Sequence, residues 1–125
     1  MQRNRFLFIA SVLGMLAVIL GAFGAHGLEK VAEPRMLQRF HTGVEYQFYH
    51  ALALLGVGIM RRWANNRWLD YAGYAFISGI ALFSGSLYLY VLTGVSQIAM
   101  ITPLGGVAFI VGWLLLALAV KKQGF

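Results

Sequence analysis

Glu45 is the one acidic residue inside a long apolar stretch, and it sits in a short segment that also holds all three histidines, His26, His41 and His50. Tyr46 and Tyr49 flank it. A carboxylate among imidazoles and phenols has three uses. It can accept hydrogen bonds and staple helices together, carry a proton, or hold a cation or polar ligand. His41 and Glu45 are four residues apart, which suits two ligands on one helix face, and His26 would supply a third. A single such pair is a weak metal signature, and a two-histidine haem would need a histidine after His50, where the sequence has none. No metal and no cofactor is therefore expected. The chain has no cysteine, which excludes disulfides, thiolate metal sites and a cysteine nucleophile. It has no serine-nucleophile motif, phosphate loop or HExxH, and Glu45 has no second carboxylate for acid–base work. The expectation is a non-enzymatic protein.

The elements that must position these groups are set by composition. Of 125 residues, 60% are hydrophobic and 11% charged. A soluble domain carries about 25% charge, and a chain this small cannot hide so much apolar surface from water. Intrinsic disorder is excluded by the same hydrophobicity. The net charge of +6 does not indicate nucleic acid, because the basic residues cluster between apolar runs, as membrane-flanking charges do.

Four uncharged or nearly uncharged stretches, 6–25, 41–60, 71–92 and 101–120, each match the ~20 residues that cross a bilayer as a helix. Neither the third nor the fourth alternates with the period of a β-barrel strand. The first apolar region is longer than the ~7–15 residues of a signal peptide and is expected to stay as an uncleaved anchor. The expected fold is an all-α integral membrane four-helix bundle filling residues 1–125. Arg3, Arg5, Arg61, Arg62, Arg67, Lys121 and Lys122 fall on one side of such a bundle, and Lys30, Arg35 and Arg39 on the other. Seven against three places both termini in the cytoplasm. Pro34 at a first-turn position, with Met36, Leu37 and Phe40 on one face, suggests a short interfacial helix between the first two spans. Thr102-Pro103 reads as an N-cap and first-turn proline.

Small residues form seams for close helix approach: Ala10, Gly14, Ala17, Gly21 and Gly24; Ala75 with Gly79 and Ala81 with Gly85; Gly105, Ala108, Gly112 and Ala119. On a helical wheel His41, Glu45, Tyr49, Tyr46 and His50 share roughly half the second span, and this polar half is expected to face the bundle. Gln47 interrupts the opposite, apolar half. Alternating span direction brings His26, Ser84, Ser86 and Tyr88 to the same outer half of the membrane, leaving the inner half nearly pure hydrocarbon. Trp113 is read as a packing residue. A buried carboxylate in a span marks a candidate site. The candidate ligand-binding set is thus Glu45, His41, His26, Tyr49, His50, Tyr46, Ser84, Ser86 and Tyr88, forming a polar outer-half pocket.

Four motifs resemble one family in order and nearly end to end: Gly21-Ala22-Phe23-Gly24-Ala25-His26-Gly27, Thr42-Gly43-Val44-Glu45-Tyr46-Gln47 with His50, Leu82-Phe83-Ser84-Gly85-Ser86-Leu87-Tyr88, and Thr102-Pro103-Leu104-Gly105-Gly106 with Gly112-Trp113. The chain resembles the YgdD-like small inner-membrane proteins, a domain-of-unknown-function family of the UPF0382 type related to a eukaryotic transmembrane protein. The resemblance implies a four-span bacterial inner-membrane protein and no particular reaction. The leading expectation is a binding or assembly module whose pocket takes a lipid headgroup or small polar ligand. Its partners would be membrane lipids, and another copy or another membrane protein. A small transporter or proton-coupled channel using Glu45 is the alternative, and a purely structural assembly partner the third.

Overall fold

The computed structural model describes residues 5–124, and every regular element among them is helical. Arg3, counted above among the N-terminal charges, lies outside the described residues. The helices are α1 (Arg5–His26), α2 (Pro34–Trp63), α3 (Arg67–Gly79), α4 (Gly85–Thr93) and α5 (Thr102–Gln123). A π-helical turn, Ile80–Ser84, carries α3 into α4 without interruption, so these segments form four rods. Short 3-10 turns at Leu28–Lys30 and Ser96–Met100 lie in two of the connections.

Three rods are long and apolar enough to cross a bilayer: α1, the α3–α4 rod and α5. α2 is not one of them by composition, although its 30 residues reach about 45 Å. His41, Glu45, Gln47 and His50 lower its hydropathy. The separate interfacial helix expected before the second span does not form. Pro34 does start a helix at its first turn, but that helix continues unbroken to Trp63, because nothing between Phe40 and His41 breaks the backbone hydrogen-bond ladder. Thr102 is likewise not an N-cap. It already lies inside α5, and its hydroxyl meets Ser86 Oγ at 2.5 Å. Asn66 does cap, its side chain accepting from the Trp68 N–H at 2.9 Å to open α3. α4 ends on Gly94, whose φ of 73° is the left-handed conformation that favours glycine.

α1 packs along α2, α3 packs along α5, and the third rod also lies against α2. An apolar core joins them around Phe6, Leu54, Val57, Leu69, Ala72 and Phe76. Lipid tails are as apolar as this core, so close contact and hydrogen bonds must do the joining. The contacts are aromatic rings seated on glycines. Phe6 covers Gly73, Phe40 covers Gly24, Tyr88 covers Gly43, Phe76 covers Gly112 and Phe109 covers Gly79. At Gly105 the neighbour is the backbone of Phe83 itself.

The seams form selectively. Ala10, Ala17 and Gly24 are buried, whereas a side chain at Gly14 would meet open space. Gly105, Gly112 and Ala119 are buried. Gly79 is buried, but Ala81 is exposed and the Ala81–Gly85 seam does not form. Ala81 is two residues from the buried Gly79, about 200° around the helix, and so points away from the bundle, whereas Ser84 at the end of the π turn faces α2.

Candidate functional site

Of the buried polar residues, Gln47, His50, Ser84 and Ser86 gather around the contact between α2 and the third rod, and Asn66 lies at the basic end. Gly43, Gln47, His50 and Leu54 lie on the buried face of α2. Gln47 donates from Nε2 to the Leu13 carbonyl of α1 at 2.8 Å and accepts at Oε1 from the Tyr88 hydroxyl at 2.6 Å. One amide thereby ties α1, α2 and α4 together. Ser84, fully buried in the π turn, donates to the Gly43 carbonyl at 2.6 Å. Ser86 donates to the Phe83 carbonyl or shares its proton with Thr102 at the start of α5.

His50 is held from both sides. Its Nδ1 lies 2.8 Å from the Tyr46 carbonyl, which can only accept, so Nδ1 carries the proton. Its Nε2 lies 3.0 Å from the indole N–H of Trp113, which can only donate. The neutral Nδ1–H tautomer satisfies both, and the ring stacks on Phe109 with centroids 3.6 Å apart. Both ring nitrogens are occupied within the chain. Among the described residues no buried side-chain nitrogen or oxygen lacks a partner. An unpaired group there would cost about 1–3 kcal/mol, so this network is what lets polar residues sit in an apolar core.

Glu45 is elsewhere. It is exposed at the centre of the opposite face of α2, which corrects the expectation that the Glu45 side of this helix faces the bundle. Its carboxylate accepts from the Tyr49 hydroxyl at 3.0 Å, one turn along the same face, so the bond joins no two helices. Tyr49 is half exposed, and His26 is exposed at the end of α1. Tyr46 is partly exposed and its ring lies 4.7 Å from that of Phe83. His41 is half-buried against Gly24. Among the described residues no three histidine, aspartate or glutamate side chains converge as metal ligands would. Of the candidate set, the structure brings His50, Ser84, Ser86 and Tyr88 into the core and leaves Glu45, Tyr49 and His26 outside.

Two members of the network were not in the candidate set. Gln47 looked like an interruption of an apolar half, yet it faces the core. It lies four residues from Gly43 and three from His50, on the line that the core uses, but the fold alone makes that line the inner one. Trp113 is more than a packing residue, because its indole holds His50. Its position on α5 carried no such signal.

The basic end of the molecule is closed by polar contacts of another kind. Arg61 pairs with Asp70 at 2.9 Å. Asn66 donates to the Ala119 carbonyl at 3.1 Å, linking the start of α3 to the end of α5. Arg5 donates to the Tyr74 hydroxyl. Away from this end, the core between Phe6 and Phe76 is apolar side chains.

An all-helical chain with three bilayer-length apolar helices and a satisfied polar core belongs to the class of integral membrane proteins. Residues 20–106 match the model of a protein family of unknown function, DUF423. The chain is 45% identical over 118 residues to the UPF0382 membrane protein YwdK of Bacillus subtilis, covering 94% of this chain and 96% of the relative. It is 38% identical over 125 residues to the UPF0382 inner membrane protein YgdD of Escherichia coli, covering 97% and 95%. A UPF0382 membrane protein of Haemophilus influenzae is 38% identical over 116 residues. The chain belongs to this UPF0382 (DUF423) family of membrane proteins. No solved structure matches it.

Proposed function

We propose that this chain is a four-span protein of the bacterial inner membrane, with both termini in the cytoplasm, acting as a non-enzymatic binding or assembly module through the outward face of α2. Glu45 carries the reading. Val44 packs beside Gly21 of α1, which is five residues inside the end of that helix, about 7–8 Å along the axis. Glu45 is therefore level with the apolar last turns of α1, exposed, and hydrogen-bonded to a tyrosine of its own helix. An ionisable group in that position costs up to about 2.5–3.5 kcal/mol on insertion scales, and such residues mark functional sites. The buried network is the scaffold, and the exposed Glu45–Tyr49 pair is the surface that meets a lipid headgroup, a small polar ligand or a protein partner. The four-span topology is supported by the length of α2 and its packing along α1 and the third rod. The cytoplasmic termini are supported by Arg5, Arg61, Arg62, Arg67, Lys121 and Lys122, which lie at one end of the rods. A transporter reading has no such support, because the apolar core around Leu54, Val57 and Phe76 offers no polar path.

Native mass spectrometry of the protein released from a mild detergent, wild type beside Glu45→Gln, tests the proposal. The expected result is a non-covalent mass retained by the wild type and at least ten-fold depleted in the variant. A bare monomer in both overturns it.

A further inference from the structure

We propose that the exposed face of α3 at the basic end binds an anionic phospholipid, with its phosphodiester among Arg67, Lys122 and Arg5 and its glycerol esters over Tyr71 and Tyr74. This surface is separate from the outward face of α2, and three helices build it. Arg67, Tyr71, Tyr74 and Ser78 follow one another at intervals of four, three and four residues, and all are exposed. They therefore form one stripe along α3. On a helical wheel Trp68 and Gly73 fall on opposite flanks of that stripe. α5 walls the Trp68 flank. The buried Asn66 donates to the Ala119 carbonyl and to Gln123 Oε1, which holds the end of α5 against the start of α3. The Lys122 ammonium lies 5.5 Å from the centroid of the Trp68 ring, and Trp68 in turn meets Tyr71 edge to face. α1 walls the Gly73 flank. Phe6 seats on Gly73, and Arg5 donates to the Tyr74 hydroxyl with its guanidinium carbon 5.7 Å from the centroid of that ring.

Charge selects the occupant. The chain has four acidic residues, Glu29, Glu33, Glu45 and Asp70, and only Asp70 stands at this end. Arg61 takes it at 2.9 Å. Arg5 uses one of its five donors on Tyr74, and Lys122 faces a ring rather than a carboxylate. An anion is what balances the three cations around α3. A zwitterionic headgroup would bring them an ammonium of its own, whereas a phosphodiester with an uncharged substituent does not. The order of polarity along the stripe then matches a whole lipid rather than a soluble anion. Arg67 comes first. Tyr71 and Tyr74 follow about 6 and 10 Å further in, amphipathic rings of the kind that sit at the membrane interface. Beyond Ser78 the exposed residues are Ala81 and Leu82. Phosphate, ester and acyl chain meet cation, phenol and hydrocarbon in turn. Basic pockets between membrane helices hold lipid headgroups in this way.

Native mass spectrometry of the full chain in a mild detergent, titrated with phosphatidylglycerol or phosphatidylcholine, tests the site. Phosphatidylglycerol is expected to bind tighter by about ten-fold or more. Arg67→Gln should weaken it roughly five-fold, and Arg67→Gln with Lys122→Gln about 25-fold, at roughly five-fold per cation. Lys121→Gln is the matched control. Lys121 lies two residues from the buried Ala119, hence on the side of α5 turned away from α3, and its loss should change the affinity less than about two-fold. Arg67, Lys121 and Lys122 are all exposed, so the variants keep the fold, as an unchanged unfolding midpoint will verify. Equal affinity for the two lipids, or an equal loss in Lys121→Gln, reduces the surface to diffuse charge and overturns the site. Glycerol 1-phosphate bound as tightly as the lipid makes this a site for a soluble phosphate ester and overturns the lipid. The phosphatidylglycerol adduct should survive Glu45→Gln, which separates it from a ligand on the outward face of α2. Its loss in that variant overturns the placement on α3.

Discussion

At the scale of single residues, Gln47 and Glu45 divide the work of α2. They are two positions apart, hence on opposite faces of the helix. Gln47 is buried with both ends of its amide engaged, and Glu45 is exposed. Their substitutions should therefore act on different properties. Gln47→Leu leaves the Tyr88 hydroxyl without its acceptor inside the core, a loss of about 1–2 kcal/mol of stability. Tyr88→Phe removes the same bond from the other side. In the double variant nothing is left unpaired, and a cycle of thermal unfolding in detergent should return a coupling of about 0.6–1.7 kcal/mol, the range of hydrogen bonds between membrane helices. Strict additivity would show that the two groups act independently. Glu45→Gln, by contrast, should leave monomer stability within about 0.5 kcal/mol of wild type, because its carboxylate joins no two helices.

At the scale of elements, the rods are held by glycines whose missing side chains admit a neighbour. The tightest case is Gly105, where an added methyl would run into the backbone of Phe83 in the π turn. Side-chain rotation cannot relieve a backbone clash. Gly105→Ala should cost about 2–3 kcal/mol, the upper end of overpacking penalties, with a matching fall in the unfolding midpoint. Gly14→Ala is the control. It faces open space in mid-helix, and alanine there should stabilise by about 0.5–1 kcal/mol through helix propensity alone. Equal destabilisation by both variants would mean that the close approach at Gly105 does not hold α5 to the third rod. The π turn belongs to the same logic. It presents Ser84 to the Gly43 carbonyl of α2 while Phe83 remains against Gly105.

At the scale of the whole molecule, charge and polarity are segregated along the rods. The basic end is latched by Arg61–Asp70 and by Asn66 on α5, while the buried Gln47, His50, Ser84 and Ser86 lie toward the opposite end. With cytoplasmic termini, a cysteine at Gln97 should react with a membrane-impermeant thiol reagent on cells with a permeable envelope and an intact inner membrane, and one at Asn65 should react only after lysis. Both positions are exposed in connecting loops. The reverse pattern would invert the orientation and place the Glu45 level in the cytoplasmic half.

The sequence by itself determined the helices. Uninterrupted apolar stretches of bilayer length leave the backbone no other way to satisfy its hydrogen bonds, and α1, the third rod and α5 lie where hydropathy puts them. The four motifs were likewise enough to indicate the family. The sequence also raised the expectation that polar groups collect in the outer half of the bundle. Only the tertiary structure decided which face of α2 is inside. In water the apolar face of a helix turns inward, so the pattern predicts burial. Between helices in lipid, core and surroundings are equally apolar, and that rule loses its force. α2 carries polar residues on both faces, and the choice fell to contacts across elements: Tyr88 over Gly43, Gln47 on the Leu13 carbonyl, and Trp113 against His50. No local spacing encodes those pairings, because they join residues 34 to 63 positions apart and depend on glycine notches that set how closely the rods approach.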